Sequence, residues 1–449
     1  MSQPKFKVAI CGAGIGGLAL AVVLSKYAGA SVDVAVYEGA AEITTAGAGI
    51  SVWKRMWTIM QDLGLDVELA KKAIEPPEDA PRPGLAFRKS DGPHPGYNFY
   101  EMMNPYGAIT LHRADVVDVL MAKIPKSYSI QTSKRMTSYS RRDDGSITMR
   151  FADGSSTAAD ILIGADGVHS PTRKCLFRSM AEDEGVTDPA RLEAIDKETG
   201  PVWTGTLAYR ALVPTEALEL VYPGHQACKR GIVYLGKNKH LVAYPIAQGR
   251  LINLVPFYTV AGGEGTTFEG KWVTDVSKEE VIDSFSNIEE EAQVLTKCME
   301  KPTRWAIHAM SPLPHYAYGR VAILGDAAHA MTTHLGAGAG QAIEDAYVLG
   351  RFLADPAVTI DKVTDILRVY EQARLPFANA IVANATATGY LYEFNGPGWD
   401  DNDRSNEDEK LHALGKQIEK QWEWQWTKDF REDWQRAERL LSGVLETDG

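Results

Sequence analysis

Lys7-Val-Ala-Ile-Cys11-Gly12-Ala-Gly14-Ile-Gly16-Gly17 is the stretch on which the fold turns. Lys7 to Cys11 is a short, nearly continuous apolar run, as a strand buried on both faces requires. Ile15 to Tyr27 follows as an Ala- and Leu-rich helix, and Val32 to Tyr37 is a second apolar run that ends in Glu38. Strand, glycine turn, helix and strand make a right-handed βαβ unit. Within it, Gly12 permits the tight turn, Gly14 lets a diphosphate approach the backbone, and Gly17 lets the helix pack close to the strand. The helix N-terminus favours the diphosphate charge. Glu38 is placed to accept hydrogen bonds from ribose hydroxyls. The glycine spacing alone does not choose between NAD and FAD.

Two later stretches repeat the device of an apolar strand ending in Gly and Asp. One is Asp160-Ile-Leu-Ile-Gly164-Ala-Asp166-Gly167-Val-His-Ser170, followed by Arg173. The other is Arg320-Val-Ala-Ile-Leu-Gly325-Asp326-Ala-Ala-His329-Ala, which runs on to Gly336-Ala-Gly338-Ala339-Gly340. A carboxylate at a strand's C-terminal end suits a polyhydroxyl chain such as ribityl. The small residues Gly336, Gly338 and Ala339 leave backbone bare for a flat ring. Ala342, Ile343, Ala346, Leu349, Phe352 and Leu353 then repeat with helical period. That helix's N-terminus favours negative charge on a reduced ring.

The chain has 449 residues, 45% hydrophobic and 24% charged, with a formal net charge of -12. Two domains are expected at this length. The acidic balance excludes nucleic acid as a partner class. Cys11, Cys175, Cys228 and Cys298 show no metal-ligand spacing and read as inert thiols, so no metal is expected. An apolar strand begins at Phe6, which leaves no room for a secretory signal, and no run of about 18 apolar residues exists. A cytoplasmic protein is expected, as monomer or homodimer.

The expected fold is α/β. A Rossmann-like dinucleotide domain is assembled from residues 1–75, 105–185 and 305–395. A β-rich substrate domain comprises 76–104 and 186–304, where β-branched and aromatic runs lie between turns. Residues 396–449 form a C-terminal helical extension. The Pro- and Gly-rich stretch 76–96 reads as a loop or excursion between domains, and 180–200 as a polar surface connection.

In this order and spacing the motifs resemble the flavoprotein aromatic hydroxylases typified by p-hydroxybenzoate hydroxylase, most of all the salicylate hydroxylase and 6-hydroxynicotinate 3-monooxygenase type. Gly47-Ala-Gly49-Ile-Ser51, Leu111-His-Arg113-Ala-Asp115, Leu162 to Gly167, Tyr209-Arg210 and Gly325 to Ala330 carry the resemblance, which spans roughly residues 5–395. It implies tight, non-covalent FAD, held by Gly12, Gly14, Gly17, Glu38, Gly49, Arg113, Asp166, Gly325, Asp326, Gly336, Gly338 and Ala339. Asp326 would contact the ribityl chain, Arg113 would lie along FAD, and Asp166 would serve both FAD and the nicotinamide. NADH or NADPH would reduce FAD as a transient co-substrate. Oxygen would then add at flavin C4a, and the hydroperoxide would hydroxylate a small aromatic acid, ipso and with loss of carbon dioxide. The family has proline shortly after the Gly-Asp motif, where this chain has Thr333.

His240-Leu-Val-Ala-Tyr244-Pro245 puts His240 and Tyr244 on one strand face. The resemblance makes His240 the base that takes the phenol proton, near neutral pH, with Tyr244 orienting the ring. A histidine merely filling a hydrogen bond in the sheet is the bland alternative. Tyr209 and His334 are further catalytic candidates. Two rival functions are ring hydroxylation without loss of the carboxylate and a non-oxygenating flavin-binding regulator. Trp422, Trp424 and Trp426 lack the Ile-Pro that completes the flavin halogenase signature. Trp422 and Trp426 instead suit one helix face.

Overall fold

The computed structural model describes residues 3–43, 49–73, 80–92, 94–105, 109–400 and 405–446. A six-stranded sheet runs in the order Ala317–Tyr318, Val321–Ile323, Ile161–Gly164, Phe6–Cys11, Val32–Tyr37, Ser129–Gln131. Its strands are parallel except at the first pair. Strands distant in sequence therefore lie side by side, and their C-terminal ends bring the three Gly/Asp motifs to one edge. Helix Ile15–Tyr27 buries Ile15 to Leu24 and packs against helix Gly338–Ala354. The apolar faces of both elements have no other route out of water.

An eight-stranded mixed sheet runs in the order Val273–Asp275, Thr303–Met310, Pro201–Pro214, Leu251–Glu264, Lys239–Ile246, Ile232–Gly236, Arg82–Lys89, Tyr97–Asn104. The Pro/Gly-rich stretch thus delivers the strand Arg82–Lys89 to this sheet and leads into Tyr97–Asn104. One face, with Tyr209, Val213, Leu241, Ala243, Ile252 and Leu254, packs on helices Lys278–Ser284 and Glu290–Lys297. The other face looks toward the nucleotide-type sheet.

One expectation needs correction. Residues 180–200 are not an irregular connection: they lie largely in helices Pro171–Asp183 and Pro189–Glu198. Ser170 and Asp188 cap these helices, each followed by proline at the first position, a start signal strong enough to override the polar composition. Helix Val363–Tyr392 also runs its 30 residues through Pro376.

Helices Glu407–Trp422, Trp424–Thr427 and Phe430–Glu446 close the chain. Trp422 and Trp426 both pack on Trp53, at 5.4 and 5.3 Å between ring centroids. A buried ion network holds this region to the rest: Arg55 pairs with Glu344 at 2.9 Å and Asp433 at 2.7 Å, and Arg374 pairs with Glu344 at 2.9 Å and Asp345 at 2.7 Å. Among the described residues no helix is long and apolar enough to cross a membrane.

Candidate active site

The turn after Phe6–Cys11 has the geometry of a diphosphate cradle. Gly12 sits at φ +107°, and a Cβ there would lie 2.1 Å from the Ala165 carbonyl oxygen. A Cβ on Gly17 would lie 2.0 Å from the Gly12 carbonyl oxygen. A Cβ on Gly14 would meet nothing within 4 Å. Two glycines close the turn and the third faces open space, as a group approaching the backbone needs. Gly14 is the N-cap of helix Ile15–Tyr27 and offers no side-chain cap, so the first amides stay free for an anion. Glu38 accepts from the amides of Ala13 at 2.8 Å and Ala40 at 2.7 Å, which fixes its carboxylate beside this turn.

Asp326 opens the short helix Asp326–His329 with an exposed carboxylate that makes no hydrogen bond among the described residues. A Cβ on Gly338 would lie 4.0 Å from Asp326 Oδ1, so the acid stands by the uncapped N-terminus of helix Gly338–Ala354. Gly325 donates its amide to Asp345 at 3.0 Å, and Asp345 also accepts from His329 and Arg374. Burial would raise the Asp345 carboxyl, but these partners outweigh it and hold the carboxyl well below its usual range. The Gly325 turn is thereby anchored to the helix whose start carries Gly338 and Ala339. Gly336, at φ +55°, ends the short helix Thr333–Leu335. Thr333 occupies that helix's first position, where proline is also accommodated. An exposed acid, two uncapped helix starts and a glycine cradle fit a dinucleotide with a polyhydroxyl arm.

Other FAD candidates are placed less directly. Arg113 starts helix Arg113–Lys123 and is exposed. Gly49 donates its amide to Asn253 Oδ1 at 3.0 Å and lies against Tyr244; Gly47 falls outside the described residues. The Asp166 carboxylate is turned inward. It accepts from Ser170 Oγ, from the Thr172 amide at 3.0 Å and from Thr172 Oγ1 at 2.6 Å, tying the Asp-Gly turn to the start of helix Pro171–Asp183.

The inner face of the large sheet is built in rows. Ala208, Phe257 and His240 lie abreast, then Val255 and Val242, then Leu212, Asn253 and Tyr244. His240 is buried and stacks on Phe257, at 4.5 Å and 10° between planes. Its ring lies 5.1 Å from that of His334. The structure therefore unites His240 and His334. His334 Nδ1 donates to the Ala385 carbonyl at 3.2 Å, which leaves its Nε2 as an acceptor. His240 Nδ1 lies 3.0 Å from Glu393 Oε1. Neither Nε2 atom has a hydrogen-bond partner among the described residues, although both are buried. With Glu393 ionised, His240 Nδ1 donates to it and Nε2 is likewise an acceptor; orphaned acceptors of this kind are costly and point to a donor that arrives with a ligand. Tyr392 packs edge-on to both rings and is held by hydrogen bonds: Trp422 Nε1 donates to Tyr392 Oη at 2.9 Å, and Tyr392 Oη donates to the His334 carbonyl at 3.3 Å.

The expected near-neutral ionisation of His240 is corrected. Burial pushes both His240 and His334 down to about 3, so each is neutral at working pH. The group held near neutrality is Glu393, which burial raises to about 7. Tyr209 is corrected as well. It lies on the outer face, edge-on to Phe285, with its hydroxyl on Glu280 at 3.1 Å. The pleat turns its neighbour Arg210 inward instead. Arg210 lies over Trp305, 5.0 Å from the ring centroid, and pairs with no carboxylate among the described residues. Burial and the positive Arg113 lower its affinity for a proton, while Tyr244 opposes them.

Comparison with known proteins accords with this geometry. The family described as FAD binding domain matches residues 5–385. A salicylate hydroxylase of Pseudomonas putida is 31% identical over 444 residues, covering 97% of this chain and 95% of that protein. A 6-hydroxynicotinate 3-monooxygenase of Bordetella bronchiseptica is 28% identical, covering 88% and 95%. Among solved structures, a salicylate hydroxylase substrate complex superposes with a TM-score of 0.79 at 30% identity, covering 97% of this chain and 98% of that one.

Proposed function

From the premise that the chain belongs to the FAD binding domain family and is an FAD-dependent aromatic monooxygenase, we propose that it hydroxylates a small hydroxybenzoate-type acid at the carboxylate-bearing carbon, with loss of carbon dioxide. The observation that carries this reading is the pair of buried, orphaned Nε2 acceptors on His240 and His334. A phenolic hydroxyl is the donor that such a pair accepts. The salicylate hydroxylase relatives support the choice of a hydroxy acid.

When bound, FAD supplies the redox chemistry, taking electrons from NADH or NADPH and passing one oxygen atom of O2 to the ring. Gly12, Gly14 and Gly17 hold the diphosphate, Glu38 a ribose, Asp326 the ribityl chain, and Gly336, Gly338 and Ala339 the flat ring. Asp166 acts through the turn it ties down. His240 takes the phenol proton, because an electron-poor oxygen attacks a phenolate more readily than a phenol. Arg210, a cation short of a counter-ion on the same sheet face, receives the substrate carboxylate. Tyr244 orients the ring. Phe257, Tyr392 and Trp422 keep water from the reacting oxygen.

The test is FAD-loaded protein with a panel of hydroxybenzoates, following nicotinamide oxidation, aromatic product and carbon dioxide together. The expected result is one dihydroxybenzene and one carbon dioxide per nicotinamide for a 2- or 4-hydroxybenzoate. Hydroxylation with the carboxylate retained would replace the decarboxylating course. Nicotinamide oxidation that no aromatic acid stimulates would overturn the substrate class.

A further inference from the structure

We propose that Glu393 is the final acceptor of the substrate's phenolic proton, with His240 as the relay between them. The inference rests on the role of His240 given above. Glu393 ends helix Val363–Tyr392 as its C-cap, so the backbone places it at the inner face of the sheet, 3.0 Å from His240 Nδ1. Its side chain is 4% exposed and that of His240 is fully buried. A buried carboxylate behind a buried imidazole, whose far nitrogen is left without a partner among the described residues, forms a directed proton path.

The step balances within the site. The phenolic O–H bond breaks and its proton goes to His240 Nε2. The Nδ1 proton passes to the ionised Glu393 carboxylate. Phenolate, neutral imidazole and neutral carboxylic acid result, so no charge is added to the pocket. His240 alone cannot keep the proton, because burial disfavours its cation. Glu393 can, since burial favours its neutral form. The charged and titratable groups facing Glu393 are Lys239 and His240 on one strand, His334 on the flavin-side loop and Tyr390 on its own helix. Thr259 hydrogen-bonds the carboxyl and, like Lys239, is only partly buried.

Glu393→Gln keeps an oxygen to accept from His240 but cannot take a proton. FAD-loaded wild type and variant, labelled with 15N at histidine, are compared by NMR without substrate, and by hydroxylation rate across pH. In wild type the His240 ring should stay neutral with the proton on Nδ1, and its shifts should follow an ionisation near neutrality. In Glu393→Gln that ionisation should vanish from the ring shifts and from the rate profile, and the rate should fall by about tenfold or more. Glu393→Asp should restore a titration, and it decides the question where the Gln variant does not fold. An unchanged titration in the Gln variant overturns the relay. The NMR result stands whether or not a hydroxy acid is the substrate, so failure of the relay is distinguishable from failure of the proposed reaction.

Discussion

The imidazoles of His240 and His334 lie 5.1 Å apart, although one sits mid-strand in the large sheet and the other in the loop after the last Gly-Asp motif. Each ring is anchored through Nδ1, to Glu393 and to the Ala385 carbonyl. Each leaves Nε2 bare. The large sheet and the loop after the last Gly-Asp motif therefore contribute one unpartnered ring nitrogen each to the same place.

That pocket has a thermodynamic signature. Both histidines have folded pKa values depressed from 6.5 to about 3. The stability tied to their neutral form is present above about pH 6.5 and is lost as pH falls toward 3. Between pH 6.5 and about 5, each should cost roughly 2 kcal/mol. Glu393 has the opposite sign: its pKa is raised from 4.5 to about 7, so its contribution is present below 4.5 and is lost as pH rises through 7. Denaturant unfolding of wild type and His334→Gln at both pH values checks this. The variant should lose less stability on acidification, and equal losses would contradict the buried neutral state.

The glycine cradle predicts a contrast between two neighbours. Gly12→Ala forces a side chain into φ +107° against a carbonyl and should yield little folded protein. Gly14→Val, at φ -73° and in open space, should fold normally yet bind FAD at least about tenfold more weakly. Thermal unfolding of the apo proteins and FAD titration separate the two effects. Undiminished FAD affinity in Gly14→Val would place the diphosphate elsewhere.

The nucleotide-type sheet was legible because its signals are local. Turn, helix and strand follow one another within Phe6 to Glu38, and Ile15–Tyr27 and Val32–Tyr37 fall where their patterns put them. The substrate face was legible only in part. Tyr209 shares its period-two face with Leu207, Ala211 and Val213, and that alternation already assigns Arg210 to the opposite face. Glu393 left no such trace. It meets His240 across 153 residues, at the end of a helix whose internal Pro376 reads as a breaker. The low pKa of His240 was also hidden, since burial is a property of packing and not of spacing.

Thr333 stands where the family resemblance leads one to expect proline, and the backbone suits either residue. Thr332 is extended, at φ -62° and ψ 151°, as a residue before proline must be. Thr333→Pro should keep FAD content and raise stability by up to about 1 kcal/mol through the unfolded chain. A clear fall in melting temperature would show that the loop depends on threonine.

Asp166 predicts a divided phenotype. Asp166→Ala removes three hydrogen bonds that tie its turn to helix Pro171–Asp183. Stability should fall by about 1–2 kcal/mol. Anaerobic stopped-flow reduction by NADH or NADPH, at full FAD occupancy, should also slow as the turn loosens. A normal reduction rate would leave Asp166 with the cap alone.

The most direct measurement is product formed per nicotinamide consumed, in wild type and in His240→Gln, across pH. The account predicts tight coupling in wild type. In the variant it predicts unchanged FAD content, hydroxylation slowed by roughly 10²–10⁴-fold, and hydrogen peroxide making up the missing product. A His240→Gln enzyme with wild-type rate, coupling and pH dependence would contradict it, making His240 a structural histidine and leaving His334 as the next candidate for the base.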